Sequence, residues 1–180
     1  MSYPVPDKLA WPVVSYEVSG YVFGERAPRR LFFGATHLGD DVGKAGAVVS
    51  AIGNGEVVWA EMRYGSKEKH NWGGIVVLAH GLNFQFSKAN FQIFYSVYGH
   101  LRDLRVRAGE RVVMGQMLGV VAEGRTPENG WWEVPHLHFA ICVGPWRGAV
   151  WPGFWRWWER RTKRKWWRSP KAFIEEYNRR

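Results

Sequence analysis

Cysteine and long apolar runs are both scarce in this sequence of 180 residues. Cys142 is the only cysteine, which excludes an internal disulfide framework and metal sites built on CxxC pairs. No run reaches the roughly 18 consecutive apolar residues that span a bilayer, so no transmembrane helix is predicted. The first residues, MSYPVPDKLAWPVVSYEV, lack a basic start and a continuous apolar stretch, so no signal peptide is predicted. Any metal must be held by His, Asp or Glu.

Acidic residues are also in short supply, and the imbalance is local. The chain has 25 Lys and Arg against 16 Asp and Glu, a formal net charge of +9. Residues 147–180 supply +8 of this charge, because they hold eleven basic residues and three Glu. Seven of the twelve tryptophans lie at or after Trp146. The sequence therefore predicts a nearly neutral body, residues 1–145, and a basic, Trp-rich extension, residues 146–180, packed on the same domain.

Short apolar runs broken by glycine dominate the body. Each has four to eight residues, is rich in Val, Ile and aromatic residues, and is bounded by turn-forming residues. They lie within residues 47–60, 73–81, 91–101, 110–124 and 135–143. This pattern is typical of a mainly β domain with tight turns.

Two further predictions concern the connections and the end of the chain. Residues 63–72 and 81–91 are predicted to form long loops between strands. Ser169 and Pro170 predict the N-cap and first position of a short terminal helix. Its apolar face would consist of Phe173, Ile174 and Tyr177.

The stretch VPHLHFAI, residues 134–141, places two histidines on one face of a predicted strand. Side chains alternate along a strand, so His136 and His138 point the same way, and Leu137 points to the other side. An isolated HxH pattern is by default a pair of surface histidines. A metal site requires further ligands elsewhere in the sequence.

Candidate ligands occur in ATHLGDDV, where His37 and Asp41 flank a glycine that favours a turn. Imidazole nitrogen and carboxylate oxygen are both good ligands for zinc. His100 closes the apolar strand FYSVYGHL. We interpret His70 as a loop residue, and His80 either as a partner of the site or as a structural histidine at a strand end.

Three motifs in this order are similar to those of a known family. HLGDD (37–41), YGHL (98–101) and HLHF (136–139) resemble the HxGxD, YxHL and HLHF motifs of the lysostaphin-type, or LytM-like, zinc metallopeptidases. The similarity extends over about residues 33–143, and residues 169–174 resemble the closing segment of that family. The resemblance implies a compact antiparallel β fold of the duplicated hybrid motif type, with the site in a groove on the sheet.

The resemblance also implies the roles of five residues. His37, Asp41 and His138 match the ligands of one zinc ion per chain, and His100 and His136 match the residues that act on water and substrate. The residues themselves are consistent with these roles. Three ligands of net charge −1 leave zinc a Lewis acid with one open position, and the two other histidines can transfer protons. Which of them is the general base stays open.

The function implied by this resemblance is that of a monomeric zinc endopeptidase cutting peptide bonds in peptidoglycan cross-links or bridges. It would act at the bacterial cell envelope or outside the cell. The sequence leaves the export route open, and endolysin-type release is one of the routes that it allows. One alternative is a non-catalytic LytM-like wall-binding or regulatory module. Another is nucleic-acid binding by the basic, aromatic extension, but this leaves the ordered motifs unexplained.

The sequence departs from the family pattern near the site and in the extension. Residues 125–135 bring Trp131, Trp132 and Glu133 close to the HLH motif, and the residue after HLHF is Ala140, where the family commonly has an acidic residue. Residues 144–168 have no clear counterpart. We expect residues 146–168 to contact an anionic cell wall or membrane surface, because indole rings beside Arg suit both.

Overall fold

The computed structural model describes residues 2–28, 34–82 and 92–179. The strands are β1 Thr36–His37, β2 Asp40–Val42, β3 Val48–Ser50, β4 Gly55–Arg63, β5 Gly73–Gly81, β6 Ile93–Arg102, β7 Arg111–Val112, β8 Met117–Val121, β9 Leu137–Cys142, β10 Phe154–Trp155 and β11 Trp167–Arg168. A 3₁₀ turn, Arg164–Trp166, precedes β11, and helix α1, Pro170–Asn178, follows it. The predicted mainly β fold with a C-terminal helix is confirmed.

Most of the described strands belong to one antiparallel sheet. Its main path is β11-β9-β6-β5-β4-β7, and β8 joins β6 to β3. Strand β9 is flanked by β6 on one edge and by β2 and then β11 on the other. A separate pair is formed by β1 and β10. Strand β9 therefore brings the HLH motif beside β2, which begins within the HLGDD motif.

Both faces of the sheet are buried. Along β9, Phe139 and Ile141 point into one apolar cluster, which also contains Ile174 of α1. The alternate residues of β9 point into a second cluster that contains Trp151 and Trp167. The part of the extension before α1 thus covers the face of the sheet that α1 leaves uncovered, and β9 is buried at every position.

The extension divides into a packed part and an exposed part. Trp151 and Trp167 are buried, Trp146, Trp155 and Trp166 pack against the second apolar cluster, and Trp157 and Trp158 are exposed. Indoles that cover the sheet are not available to a partner. The exposed tryptophans of the extension lie after β10.

The connections and the terminal helix follow the sequence closely. Residues 64–72 join β4 to β5 without a strand, as predicted, whereas residues 83–91 of the other predicted loop lie outside the described residues. Ser169 caps α1, with its hydroxyl oxygen accepting from the Ala172 backbone N–H at 3.4 Å, and Pro170 is the first helical residue. Across the described ranges, no helix has the length and apolarity needed to cross a membrane.

Candidate metal centre

Three predicted ligands converge in the structure. His37 ends β1, Asp41 lies in β2 and His138 lies in β9, and all three side chains are buried. His37 Nε2 lies 3.2 Å from Asp41 Oδ1 and 2.9 Å from His138 Nδ1. The Asp41 Oδ1 to His138 Nδ1 distance is 3.2 Å. Within the described residues, these three are the cluster able to hold a metal ion.

Strand register explains why residues nearly 100 positions apart meet. Asp41 and His138 are directly opposite in the antiparallel pair of β2 and β9, and opposite residues of such a pair share one face. Gly39 permits the close approach of the chain before β2, because a Cβ at this position would lie 2.4 Å from the carbonyl oxygen of Phe139. The glycine of the HLGDD motif therefore has a packing role between its two ligands.

The charge states of Asp41 and His138 favour the binding of a cation. Burial raises the pKa of Asp41, but hydrogen bonds from His138 and His37 outweigh it and hold the pKa below its ordinary value. Burial lowers the pKa of His138 to about 4, despite the hydrogen bond to Asp41. At neutral pH the pair therefore consists of a carboxylate and a neutral imidazole, the forms that bind metals.

The spacing of the three donor atoms fits a small tetrahedral ion. An ion with ligand bonds of about 2.0–2.2 Å separates its ligand atoms by about 3.3–3.6 Å at tetrahedral angles. The separations of 2.9 and 3.2 Å in the structure are slightly shorter. A zinc ion would need only a small outward movement of the three side chains.

The second carboxylate oxygen of Asp41 is held by the N-terminal segment. The Tyr21 backbone N–H donates to Asp41 Oδ2 at 3.2 Å, and the Tyr21 carbonyl accepts from the Asp41 backbone N–H at 2.8 Å. Ser19 also donates its backbone N–H to the Asp41 carbonyl at 2.9 Å. Residues 19–21 therefore orient Asp41 so that Oδ1 faces the two histidines. The sequence contained no signal for this contact.

The contact between residues 19–21 and Asp41 requires a glycine at position 20. We therefore expect Gly20→Ala to weaken zinc binding by about 10- to 100-fold, the usual effect of losing a group that orients a metal ligand. A Cβ at position 20 would lie 2.9 Å from Asp41 Cβ and 3.0 Å from Oδ2, so the carboxylate must move. Competition with a chromogenic chelator measures the affinity.

Gly115→Ala is the matched control for this variant. Position 115 has φ +84° and no heavy atom within 4 Å of an added Cβ. This replacement therefore tests backbone strain away from the ligands. Equal zinc affinity in Gly20→Ala and the wild type would show that residues 19–21 do not position Asp41.

The two predicted catalytic histidines lie beside the ligand cluster. The His136 ring donates from Nδ1 to the Val134 carbonyl at 2.7 Å, and its Nε2 lies 3.6 Å from Asp41 Oδ1. His100 and His136 have ring centroids 4.6 Å apart. Burial holds the pKa of His100 well below its ordinary value, and the neighbouring His136 and His138 lower it further. His100 is therefore a neutral imidazole at pH 7.

Trp72 packs against His100 and His138. Its ring is stacked on His100 with centroids 5.6 Å apart, and its edge meets His138 at 5.1 Å. Gly99 makes room for the indole, because a Cβ there would lie 2.5 Å from Trp72 ring atoms. The Trp72 carbonyl also accepts from the His100 backbone N–H at 2.9 Å. The sequence signal for this role was weak, since Trp72 lies at the end of a predicted loop.

The ligand cluster opens into a cavity of about 540 Å³. Residues from six parts of the chain line it: Ser19, Gly20, Tyr21, His37, Asp41, His70, Asn71, Trp72, His100, Trp132, Glu133, Val134, His136, His138, Gly153 and Phe154. Phe154 comes from the extension, and its ring lies 4.7 Å from that of His37. The loop predicted to reach the site contributes Trp132 and Glu133, whereas Trp131 is absent from this lining. The cavity is a groove with largely aromatic walls.

The other histidines and Asp40 have different surroundings. His80 is fully buried between the Asn54 carbonyl at 2.8 Å and the Ser96 hydroxyl at 2.7 Å, which makes it a structural histidine. His70 does line the cavity, with its ring 4.6 Å from Trp132. Asp40, next to the predicted ligand Asp41, is buried and accepts from the Phe23 N–H and the Tyr16 hydroxyl, both at 2.8 Å.

Comparison with known proteins defines the class. Residues 35–147 match the family described as Peptidase family M23. Because this match covers more than half of the chain, the protein belongs to peptidase family M23. A search of curated protein sequences gives no significant match.

Solved structures show the same fold. The catalytic domain of the antimicrobial peptidase lysostaphin from Staphylococcus simulans is 22% identical with a TM-score of 0.55, over 89% of this chain and 92% of that chain. LytU is 18% identical with a TM-score of 0.57, over 93% and 91%. A zinc containing peptidase from Vibrio cholerae is 20% identical with a TM-score of 0.53, over 78% of this chain and 36% of that chain.

Proposed function

We propose that this protein is a zinc-dependent endopeptidase that hydrolyses peptide bonds in bacterial peptidoglycan. The observation that carries the proposal is the convergence of His37, Asp41 and His138 at 2.9–3.2 Å, beside two further histidines. Membership of a peptidase family supports hydrolysis of peptide bonds. The resemblance of the three motifs to lysostaphin-type enzymes supports peptidoglycan as the substrate.

Zinc is the metal that best fits the three donors. Two imidazole nitrogens and one carboxylate oxygen are a typical catalytic zinc set, and a three-ligand site leaves a position for chemistry. One structural neighbour is described as a zinc containing peptidase. When bound, zinc would lower the pKa of water to about 7 and polarise a carbonyl group.

The two histidines beside the ligand cluster, His136 and His100, have different roles in the proposed reaction. Since the Val134 carbonyl can only accept, His136 carries a proton on Nδ1, and its Nε2 faces the cluster as an acceptor. We assign His136 Nε2 as the atom that takes a proton from the attacking water and returns it to the nitrogen of the leaving amine when the C–N bond breaks. His100 is neutral, stacked on Trp72, and next to His136, so it can donate a hydrogen bond to the developing oxyanion.

The shape of the cavity is suited to an extended peptide. Aromatic rings of Tyr21, Trp72, Trp132 and Phe154 line a groove that leads to the ligand cluster. The Trp132 indole N–H donates to the Asn71 carbonyl at 3.1 Å, which fixes this wall. Apolar walls exclude water from the substrate backbone and strengthen the electrostatic effect of the histidines.

Digestion of purified peptidoglycans that differ in cross-link chemistry tests this proposal. We expect new amino termini, identified by mass spectrometry, that disappear when a chelator is added and return when zinc is restored. No new amino termini from any peptidoglycan, with the protein folded and loaded with zinc, would contradict the proposal. That result, combined with retained binding to the wall, would instead indicate a non-catalytic wall-binding module.

A further inference from the structure

The exposed part of the extension is a small basic and aromatic surface, here named the basic tip, residues 156–165. Trp157 is 81% exposed and Trp158 is 46% exposed. Five basic residues of the tip are also exposed: Arg160, Arg161, Lys163, Arg164 and Lys165. The only acidic residue in the tip is Glu159, which is paired with Arg161. The surface is therefore strongly cationic and carries two exposed indole rings.

Contacts at both ends fix the tip to the body. Strand β10, just before it, pairs with β1, where Trp155 lies opposite Thr36. At the other end, the Trp167 indole N–H donates to the hydroxyl of buried Thr162 at 2.7 Å. Inside the tip, Arg161 contacts both carboxylate oxygens of Glu159, at 3.0 and 3.1 Å. The two tryptophans are thus presented by an anchored turn and not by a loose tail.

The exposure of Trp157 is not explained by packing. Five other tryptophans at or after Trp146 pack on the sheet or its flanks, so the chain can bury indoles where this stabilises the fold. Trp157 and Trp158 contact each other edge to face with centroids 5.3 Å apart, and the Arg156 guanidinium lies 5.7 Å from the Trp158 ring. Water surrounds most of the Trp157 ring. A large exposed aromatic residue within a cationic patch indicates an interaction surface.

We propose that the basic tip docks the protein on the surface of an anionic lipid bilayer. Tryptophan favours the interface of a bilayer because its ring is apolar and its N–H is polar. Lys and Arg next to it attract anionic headgroups. A bilayer surrounds an inserted ring on all sides, which suits a protruding residue such as Trp157. A wall polymer would stack on one face of a ring in a groove, and the tip is not a groove.

Docking by the tip would place the cavity close to the membrane surface. Gly153 and Phe154 line the cavity, and Trp157 is three residues after Phe154. Three residues span at most about 11 Å. The cavity lining at Phe154 would therefore lie within about 11 Å of the tryptophan that meets the headgroup layer. This inference does not depend on the proposed peptidase activity.

Sedimentation with vesicles tests the proposal directly. The protein is mixed with vesicles of phosphatidylcholine alone or of phosphatidylcholine together with phosphatidylglycerol, an anionic lipid. We expect binding to the anionic vesicles only, and weaker binding as salt increases, because the Debye length shrinks from about 10 Å at 0.1 M to about 3 Å at 1 M. Equal binding to both vesicle types, or none to either, would overturn the proposal.

Two variants and two matched controls locate the contact. Trp157→Ala with Trp158→Ala, and Gln at Arg160, Lys163, Arg164 and Lys165, should each reduce binding at least about tenfold. The controls are Trp11→Ala, which removes an exposed indole elsewhere, and Gln at exposed Lys67, Lys69, Arg105 and Arg107, which removes the same charge. Both controls should bind as the wild type does.

Further readouts keep the outcome decisive. Every variant should be folded, as judged by circular dichroism, and should keep the zinc affinity of the wild type, since none of the replaced residues belongs to the ligand cluster. An equal loss of vesicle binding in the controls and in the tip variants would overturn the proposal. So would tip-dependent sedimentation with purified cell walls in the absence of vesicle binding, because the partner would then be a wall polymer.

Discussion

His138→Ala is expected to bind no zinc at micromolar protein concentration and to have no measurable peptidase activity. His138 Nδ1 lies 2.9 Å from His37 Nε2 and 3.2 Å from Asp41 Oδ1, so its removal leaves two of three donors. A two-donor site cannot form the three-ligand catalytic arrangement of zinc. Elemental analysis of the purified variant, together with digestion of peptidoglycan, measures both effects.

His70→Ala is the matched control for this variant. His70 also lines the cavity, but it lies on the loop beside Trp132 and outside the ligand cluster. It should therefore keep one zinc ion per chain. The ligand assignment would be wrong if His138→Ala, folded as judged by circular dichroism, retained full zinc occupancy.

The ligand cluster could be predicted because short motifs and strand alternation carry most of the information. Alternation along β9 places His138 on the face opposite Leu137, and His136, just before the strand, lines the same cavity as His138. The HLGDD motif supplies two ligands across a single turn, so no long-range information is needed to bring His37 and Asp41 together. The pairing of β2 with β9 is the one distant contact required, and it was implied only by the order of the motifs.

The groups that support the site could not be predicted in the same way. Tyr21 reaches Asp41 through its backbone N–H, and a backbone group leaves no mark in the sequence. Phe154 reaches His37 because β10 pairs with β1, a contact between strands of two residues each, which is too short for a periodicity to appear. Both contacts depend on where distant segments lie after folding.

The extension shows how tertiary structure overrides a compositional pattern. Its tryptophans and basic residues are interspersed, so the sequence alone does not separate the indoles that pack on the body from those that stay exposed. Because α1 packs on one face of the sheet, the opposite apolar face also requires a cover, and Trp151 and Trp167 provide it. For the same reason β9 is buried on both faces, where an alternating pattern predicted a half-buried strand. The tryptophans of the extension that remain exposed, Trp157 and Trp158, lie in the basic tip.

His136 and His100, the two histidines next to the ligands, provide the most direct test of the proposed chemistry. His136→Ala and His100→Ala are each expected to keep one zinc ion per chain but to lose about 10²–10⁴ in kcat, the usual contribution of a positioned acid or base. His136 contacts the cluster only at 3.6 Å, through Nε2, and His100 is held by Trp72 beside it, so neither completes the set of donors. Zinc content and single-turnover rates on a soluble peptide substrate should be measured on the same preparations. If either variant is folded but free of metal, that histidine is a ligand and the assignment of roles must be reversed; if both keep zinc and full activity, neither histidine transfers protons in the reaction.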